Sequence, residues 1–145
     1  MPARLVRAAA LVMALSLAGP AWAASATPSE LEMGDVPLIC AGTEPFWSLE
    51  IAGATARYSV PGEAAREFKA GGRTPAQGLR GHFVIRLKEQ ASATGPEGLV
   101  VVTRSRGFCS DNMSDTEHPF TATFIRPDGA VFGGCCRPRT EDGKR

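Results

Sequence analysis

The side chains best equipped for chemistry crowd into Cys109 to Asp115, which reads CSDNMSD. Seven positions hold a thiol, two carboxylates, an amide, two hydroxyls and a thioether, with no strand or helix period. Copper would suit Cys109, Met113 and His118, which are soft or borderline ligands. Asp, Asn and Ser side chains also cap the backbone N–H groups of turns and need no ligand to cluster. A calcium loop wants oxygens at alternate positions in a D-x-[DN]-x-[DN]-G spacing. Here Asp111 is followed by Met113 and then Asp115, with no glycine after it. Once Cys109 is oxidised, one thioether and one imidazole make an incomplete metal site. The spacing therefore predicts a polar turn, with no metal and no cofactor.

Two other segments carry polar groups beside unusual neighbours. In GTEPFWSLEI (Gly42 to Ile51), Pro45 starts a strand, where its missing N–H costs nothing. Phe46 and Trp47 then point to opposite faces, and Trp47 is a candidate core residue. Glu44 is either solvated or partly buried; a buried carboxylate needs a partner such as Arg137. GGCCRPR (Gly133 to Arg139) follows the last strand pattern. There Arg137 could fork onto Glu44 or Asp111. Adjacent thiols at Cys135 and Cys136 lack the C-x-x-C spacing of a redox motif. His82 alternates with an apolar face and is expected to point to solvent. The chain has no G-x-S-x-G, no H-E-x-x-H and no phosphate loop, so the sequence predicts no enzyme.

The N-terminus speaks for export. MPARLVR carries Arg4 and Arg7, AAALVMALSLAG is an uncharged apolar run, and Ala21-Trp22-Ala23 is an A-x-A cleavage pattern. Those three regions make a secretory signal peptide, and the apolar run is short for a span of roughly 20 residues. No cysteine follows the cleavage pattern, which leaves a periplasmic or secreted protein rather than a lipoprotein. Cleavage after Ala23 leaves 122 residues, with 14 Lys and Arg against 15 Asp and Glu, a net charge of −1. That balance gives no reason to expect nucleic acid as partner. No other segment is apolar enough to span a bilayer. All four cysteines (Cys40, Cys109, Cys135, Cys136) are in the exported part, where disulfides are the default. Long-range bridging of Cys40 or Cys109 to the 135/136 pair is favoured over a vicinal ring, at about 3–5 kcal/mol of stabilisation; which pairs with which stays open.

The elements that must position these groups follow a period of two. Trp47, Leu49 and Ile51 share a face, as do Ala56, Tyr58 and Val60, then Phe83, Ile85 and Leu87, and then Phe120, Ala122 and Phe124. LVVVTRS is a continuous β-branched run. This is the signature of half-buried strands. Glu63 to Lys69 (EAAREFK) could make a short helix. Gly53 in IAGAT and Gly129 in PDG mark tight turns, whereas Ala70 to Gly81 and Ala91 to Gly98 are read as irregular loops. The fold class predicted is all-β: a small antiparallel barrel or barrel-like sandwich of about six to eight strands, stapled by disulfides. The expected organisation is signal peptide 1–23, flexible lead-in 24–37, barrel domain 38–139 and disordered tail 140–145.

Taken together, GTEPFW, CSDNMSD with HPFTAT, and GGCCR resemble an uncharacterised family of small exported bacterial envelope proteins. Its members carry G-x-E-P-F-W, C-S-D-x-M-S-D and G-C-x-R motifs and occur near META-type and lysozyme-inhibitor-type domains. The resemblance covers roughly Cys40 to Arg137. It implies compartment and β-architecture more than any reaction. His118 departs from the family, which has an aromatic residue before the proline; that argues against His118 as a required ligand. The expectation is a non-enzymatic, monomeric periplasmic module that binds a small ligand or an envelope protein. Glu44, Trp47, Asp111, Asp115 and Arg137 would form its polar cluster at one barrel end. The alternatives are a metal or redox protein using Cys109, Met113, Cys135 and Cys136, and an inhibitor of a cell-wall hydrolase.

Overall fold

The computed structural model describes residues 36–92 and 94–139. The expected signal peptide, the lead-in up to residue 35 and the tail beyond 139 lie outside them. Nine strands follow in chain order: β1 (Leu38–Thr43), β2 (Phe46–Ala52), β3 (Thr55–Ser59), β4 (Arg66–Ala70), β5 (Thr74–Pro75), β6 (His82–Glu89), β7 (Gly98–Cys109), β8 (His118–Ile125) and β9 (Val131–Pro138). The sheet order is β4-β3-β2-β1-β9-β8-β7-β6-β5, and β4 also pairs with β6. That last pairing closes an eight-stranded antiparallel barrel, with two-residue β5 as an appendage on β6. Closure removes the open edges that would template pairing with other chains. The expected all-β barrel is the observed fold.

Alternation decides which residues fill it. β1 reads buried at Leu38, Cys40 and Gly42, β2 at Trp47, Leu49 and Ile51, and β8 at His118, Phe120, Ala122 and Phe124. Successive side chains on a strand point to opposite faces, so these rows share the interior. Phe124, fully buried, is the hub. Its ring centroid lies 5.4 Å from Tyr58, 6.0 Å from Trp47, 6.2 Å from Phe132 and 6.4 Å from Phe68. Tilted at Tyr58 and Trp47, edge-on at Phe68 and stacked at Phe132, these contacts add to the burial of each ring. Side chains thus pack the barrel interior.

One expected helix is a strand. Arg66 to Lys69 of EAAREFK belong to β4, where Phe68 is fully buried opposite Ala56 of β3. A window that short cannot offset helix nucleation by itself, and sheet pairing on both sides wins. Thr74–Pro75, read as loop, pairs with Val84 and Phe83. The two tight turns stand where expected, with Gly53 at φ 54° and Gly129 at φ 86°, left-handed values that glycine adopts freely. His82 is half-buried rather than turned to water, its Nδ1 3.2 Å from Thr103 Oγ1.

Ion pairs close the barrel end where β8 turns into β9. Arg66 donates from Nε to Glu89 at 2.9 Å and from Nη2 at 3.1 Å, joining β4 to β6. Arg126 stands over the rings of Tyr58 and Phe132, 5.7 and 5.3 Å from their centroids, while donating to Asp128. The Arg126 guanidinium, helped by the Ala130 N–H, holds the Asp128 carboxyl down at about 2. A depressed carboxylate stabilises the fold above its unfolded value of about 3.9 and loses that contribution as pH falls through its folded value. The urea midpoints of the wild type and Asp128→Asn should therefore differ steadily above about pH 5 and converge near pH 2. Truncation of the aromatic hub is expected to be more severe: Phe124→Ala should destabilise by about 3–5 kcal/mol in equilibrium unfolding.

Candidate functional site

Two disulfides fix where the polar segments meet. Cys40 bridges Cys136 and Cys109 bridges Cys135, leaving no free cysteine among the described residues. The adjacent pair serves two different partners because neighbours on a strand face opposite ways. Cys136 sits in the core cluster directly opposite Cys40 in the β1–β9 ladder. Cys135 is opposite Ala41 and faces away from the core, where it receives Cys109 from the far end of β7. The β7–β8 ladder breaks register between Arg104 and Cys109, and that irregularity lets β7 bend toward β9.

The consequence is that CSDNMSD lies against the β1–β9 pair. Thr43 Oγ1 donates to the Asp111 carbonyl oxygen at 3.3 Å, tying the loop to the end of β1. Inside the loop, the polar side chains serve its own backbone. Asp111 Oδ1 accepts the N–H groups of Met113 at 3.0 Å and Ser114 at 2.9 Å, and the Ser114 hydroxyl donates to the same carboxylate. Ser110 Oγ accepts from Asn112 N–H, and Asn112 adopts φ 58°, which asparagine tolerates better than most residues. The Met113 and Ser114 N–H groups hold the Asp111 carboxyl below the usual carboxylate range.

On the inner side of the same seam lies Trp47. Its Nε1–H donates to the Gly133 carbonyl oxygen at 3.3 Å, so the indole of β2 reaches across β1 to β9. That reach requires glycine. A Cβ at Gly42 would sit 2.5 Å from the Gly133 oxygen and collide with the indole nitrogen. One at Gly134 would sit 2.8 Å from Trp47 Cζ2 and collide with the Ala41 carbonyl. Gly133, by contrast, has open space where a Cβ would go. The glycines of GTEPFW and GGCC thus have a packing reason, which spacing in the sequence did not reveal.

Between loop and seam is a cleft of about 490 Å³, lined among others by Thr43, Glu44, Asp111, Asn112, Met113 and Gly133. Glu44 is exposed in the β1–β2 turn, before a cis bond to Pro45, and the strand proper starts at Phe46. Met113 and Phe46 are exposed at 67 % and 52 %. No family model matches the chain, nor does any curated protein or solved structure. The site must therefore be read from its own geometry.

That geometry gathers part of the expected cluster. Glu44 and Asp111 line one cleft, and Trp47 packs behind its wall. Asp115 is exposed further along the loop. Arg137 stands on β9 opposite Ile39, and neither Glu44 nor Asp111 is its ion partner. The copper set does not assemble: Cys109 is bonded to Cys135, Met113 faces solvent and His118 is buried. The redox reading loses its thiols in the same way, because Cys135 and Cys136 are each bridged to a distant strand. Among the described residues no group of three His, Cys, Asp or Glu could hold a metal ion. No helix among them is long and apolar enough to cross a membrane.

Alanine at each of the two neighbouring glycines separates the crowded position from the open one. Gly134→Ala should destabilise by about 1–3 kcal/mol or more, because a carbonyl of the paired strand must move. Gly133→Ala should fall within about 0.5 kcal/mol of wild type, both read from denaturant midpoints. Replacing Cys40 and Cys136 together by alanine removes a crosslink across 96 residues and should cost about 4–5 kcal/mol; the Cys109 and Cys135 pair spans 26 and should cost about 3–4 kcal/mol.

Proposed function

We propose that this chain is an exported, non-enzymatic binding module of the bacterial envelope, and that its ligand or partner engages the cleft between CSDNMSD and the β1–β9 seam. One observation carries the reading. Three segments far apart in sequence, GTEPFW, CSDNMSD and GGCC, meet at one cleft on the outside of the barrel. The resemblance of these same segments to the small exported envelope family supports the compartment, as do the export pattern of residues 1–23 and two disulfides. Asp111, Ser110 and Ser114 are engaged in holding the loop, which favours recognition by shape and charge over reaction. The cleft is lined by Glu44 and Asp111 beside exposed Met113, with Phe46 near by, and no Lys or Arg is among its lining residues. Such a surface suits a partner that offers a cation next to an apolar group.

A second reading is inhibition of a cell-wall hydrolase, where an acidic loop would enter the enzyme's cleft. Lysozyme turnover measured with a molar excess of the protein tests it directly, and unchanged turnover removes it.

For the main reading, isotope-labelled mature protein should be titrated with fractionated envelope extract. Amide shifts confined to Thr43, Glu44, Asn112, Met113 and Gly133 are the expected result. Gly133→Leu, at a position where an added Cβ meets no neighbour, should abolish them without unfolding the barrel. Shifts elsewhere on the barrel, or none with any fraction, would overturn the assignment. Mass spectrometry of the exported, non-reduced chain should give the mass of residues 24–145 with all thiols oxidised; an intact residue 1–23 segment would count against the compartment.

A further inference from the structure

Among the described residues one polar or charged residue is buried. His118, at the start of β8, is only 8 % exposed. Neither of its ring nitrogens has a hydrogen-bond partner. Buried polar groups are nearly always bonded, so an orphaned imidazole calls for a physical reason. Its nearest charge supplies one. Nε2 lies 3.7 Å from Asp111 Oδ2, too far for a hydrogen bond and near enough for strong attraction when the ring is charged. Asp111 is the residue on which the loop is built, through the Met113 and Ser114 N–H groups and the Thr43 hydroxyl. His118 also pairs with Cys109, the residue that staples the loop to β9.

We propose that His118 is a proton-driven latch on the cleft loop. Protonation makes the ring an imidazolium in which both nitrogens carry a hydrogen, and the 3.7 Å contact contracts into a charge-assisted hydrogen bond donated by Nε2–H to the Asp111 carboxylate. The carboxylate is ready for this, because its own N–H donors keep it ionised where imidazoles titrate. The loop then tightens against β1 and β9 as pH falls and relaxes as pH rises. The other charged groups on the surrounding elements are Asp115 and Glu117 on the loop, Arg104 and Arg106 on β7, and Arg137 on β9. The ion partner the structure gives His118 is Asp111. As a control of binding, the latch rests on the reading of the cleft given above; as a motion of the loop it does not.

The test follows the His118 ring and the loop amides by NMR in the mature chain, without any ligand, from about pH 8 to pH 5. The Met113 and Ser114 amides should titrate in step with the His118 ring, and their exchange with solvent should slow at the acid end beyond the intrinsic pH effect. In Asp111→Asn the Met113 and Ser114 amides should no longer respond to pH over this range. In His118→Phe the amides should stay still. His82 is the internal control, since its ring contacts Thr103 and not the loop. Loop amides that ignore the His118 ring, that move equally in His118→Phe, or a ring that stays neutral until the barrel unfolds, would each overturn the latch. Amides that follow the ring in a protein that binds no envelope fraction would leave the latch standing and remove the binding reading. Extract binding that is equally strong at both pH limits would do the reverse for its regulatory role.

Discussion

The seam between β1 and β9 is the constraint on which the rest depends. These strands lie 96 residues apart at the bridged cysteines, and the barrel is continuous there only if they stay paired. Three interactions hold them. Cys40 and Cys136 are joined inside the core, the Trp47 indole crosses β1 to bond the Gly133 carbonyl, and Gly42 and Gly134 leave room for it. The indole also meets the Phe124 and Phe132 rings at tilted angles, so the seam is joined to the aromatic cluster rather than merely laid beside it. Each element needs the others: without the two glycines the ring cannot lie across the strands, and without the ring the glycines leave the interior under-packed.

Once the seam is fixed, the loop has little freedom. A strand turns successive residues to opposite faces, so Cys136 inside dictates Cys135 outside. Cys135 in turn anchors Cys109 and draws the end of β7 over β9. The CSDNMSD side chains then bond their own backbone, with Asp111 as the acceptor at the centre. The surface left to the solvent is a cleft edged by Glu44, Asn112 and Met113. Its polar groups are fixed by hydrogen bonds within the fold itself, so little side-chain freedom is left there.

The same economy explains the odd position of His118. β8 alternates inward at His118, Phe120, Ala122 and Phe124. The first of these positions lies next to the acidic loop instead of among the rings, so it is the one inward site of that strand where an ionisable side chain meets a charge. An aromatic residue there would fill the same space without responding to protons.

Much of the barrel was legible in the chain itself. Period-two alternation at 47–51, 56–60, 83–87 and 120–124 identifies the inward rows, because a pleated strand offers no other way to hide every second side chain. Gly53 and Gly129 mark turns because few other residues accept their backbone angles. Cysteines after an export pattern predict bridges. What the sequence could not supply was anything that depends on which distant strands become neighbours. The disulfide pairing, the placement of Glu44 and Asp111 in one cleft without Arg137, the strand at Arg66–Ala70, and the reason for Gly42 and Gly134 all depend on contacts made across the closed sheet. Local preference at 63–69 is too weak to choose between helix and strand, and the register of β1 against β9 is set by the whole circuit of the barrel. Residue types therefore determined the alphabet of the site, while closure of the sheet alone decided which letters stand side by side.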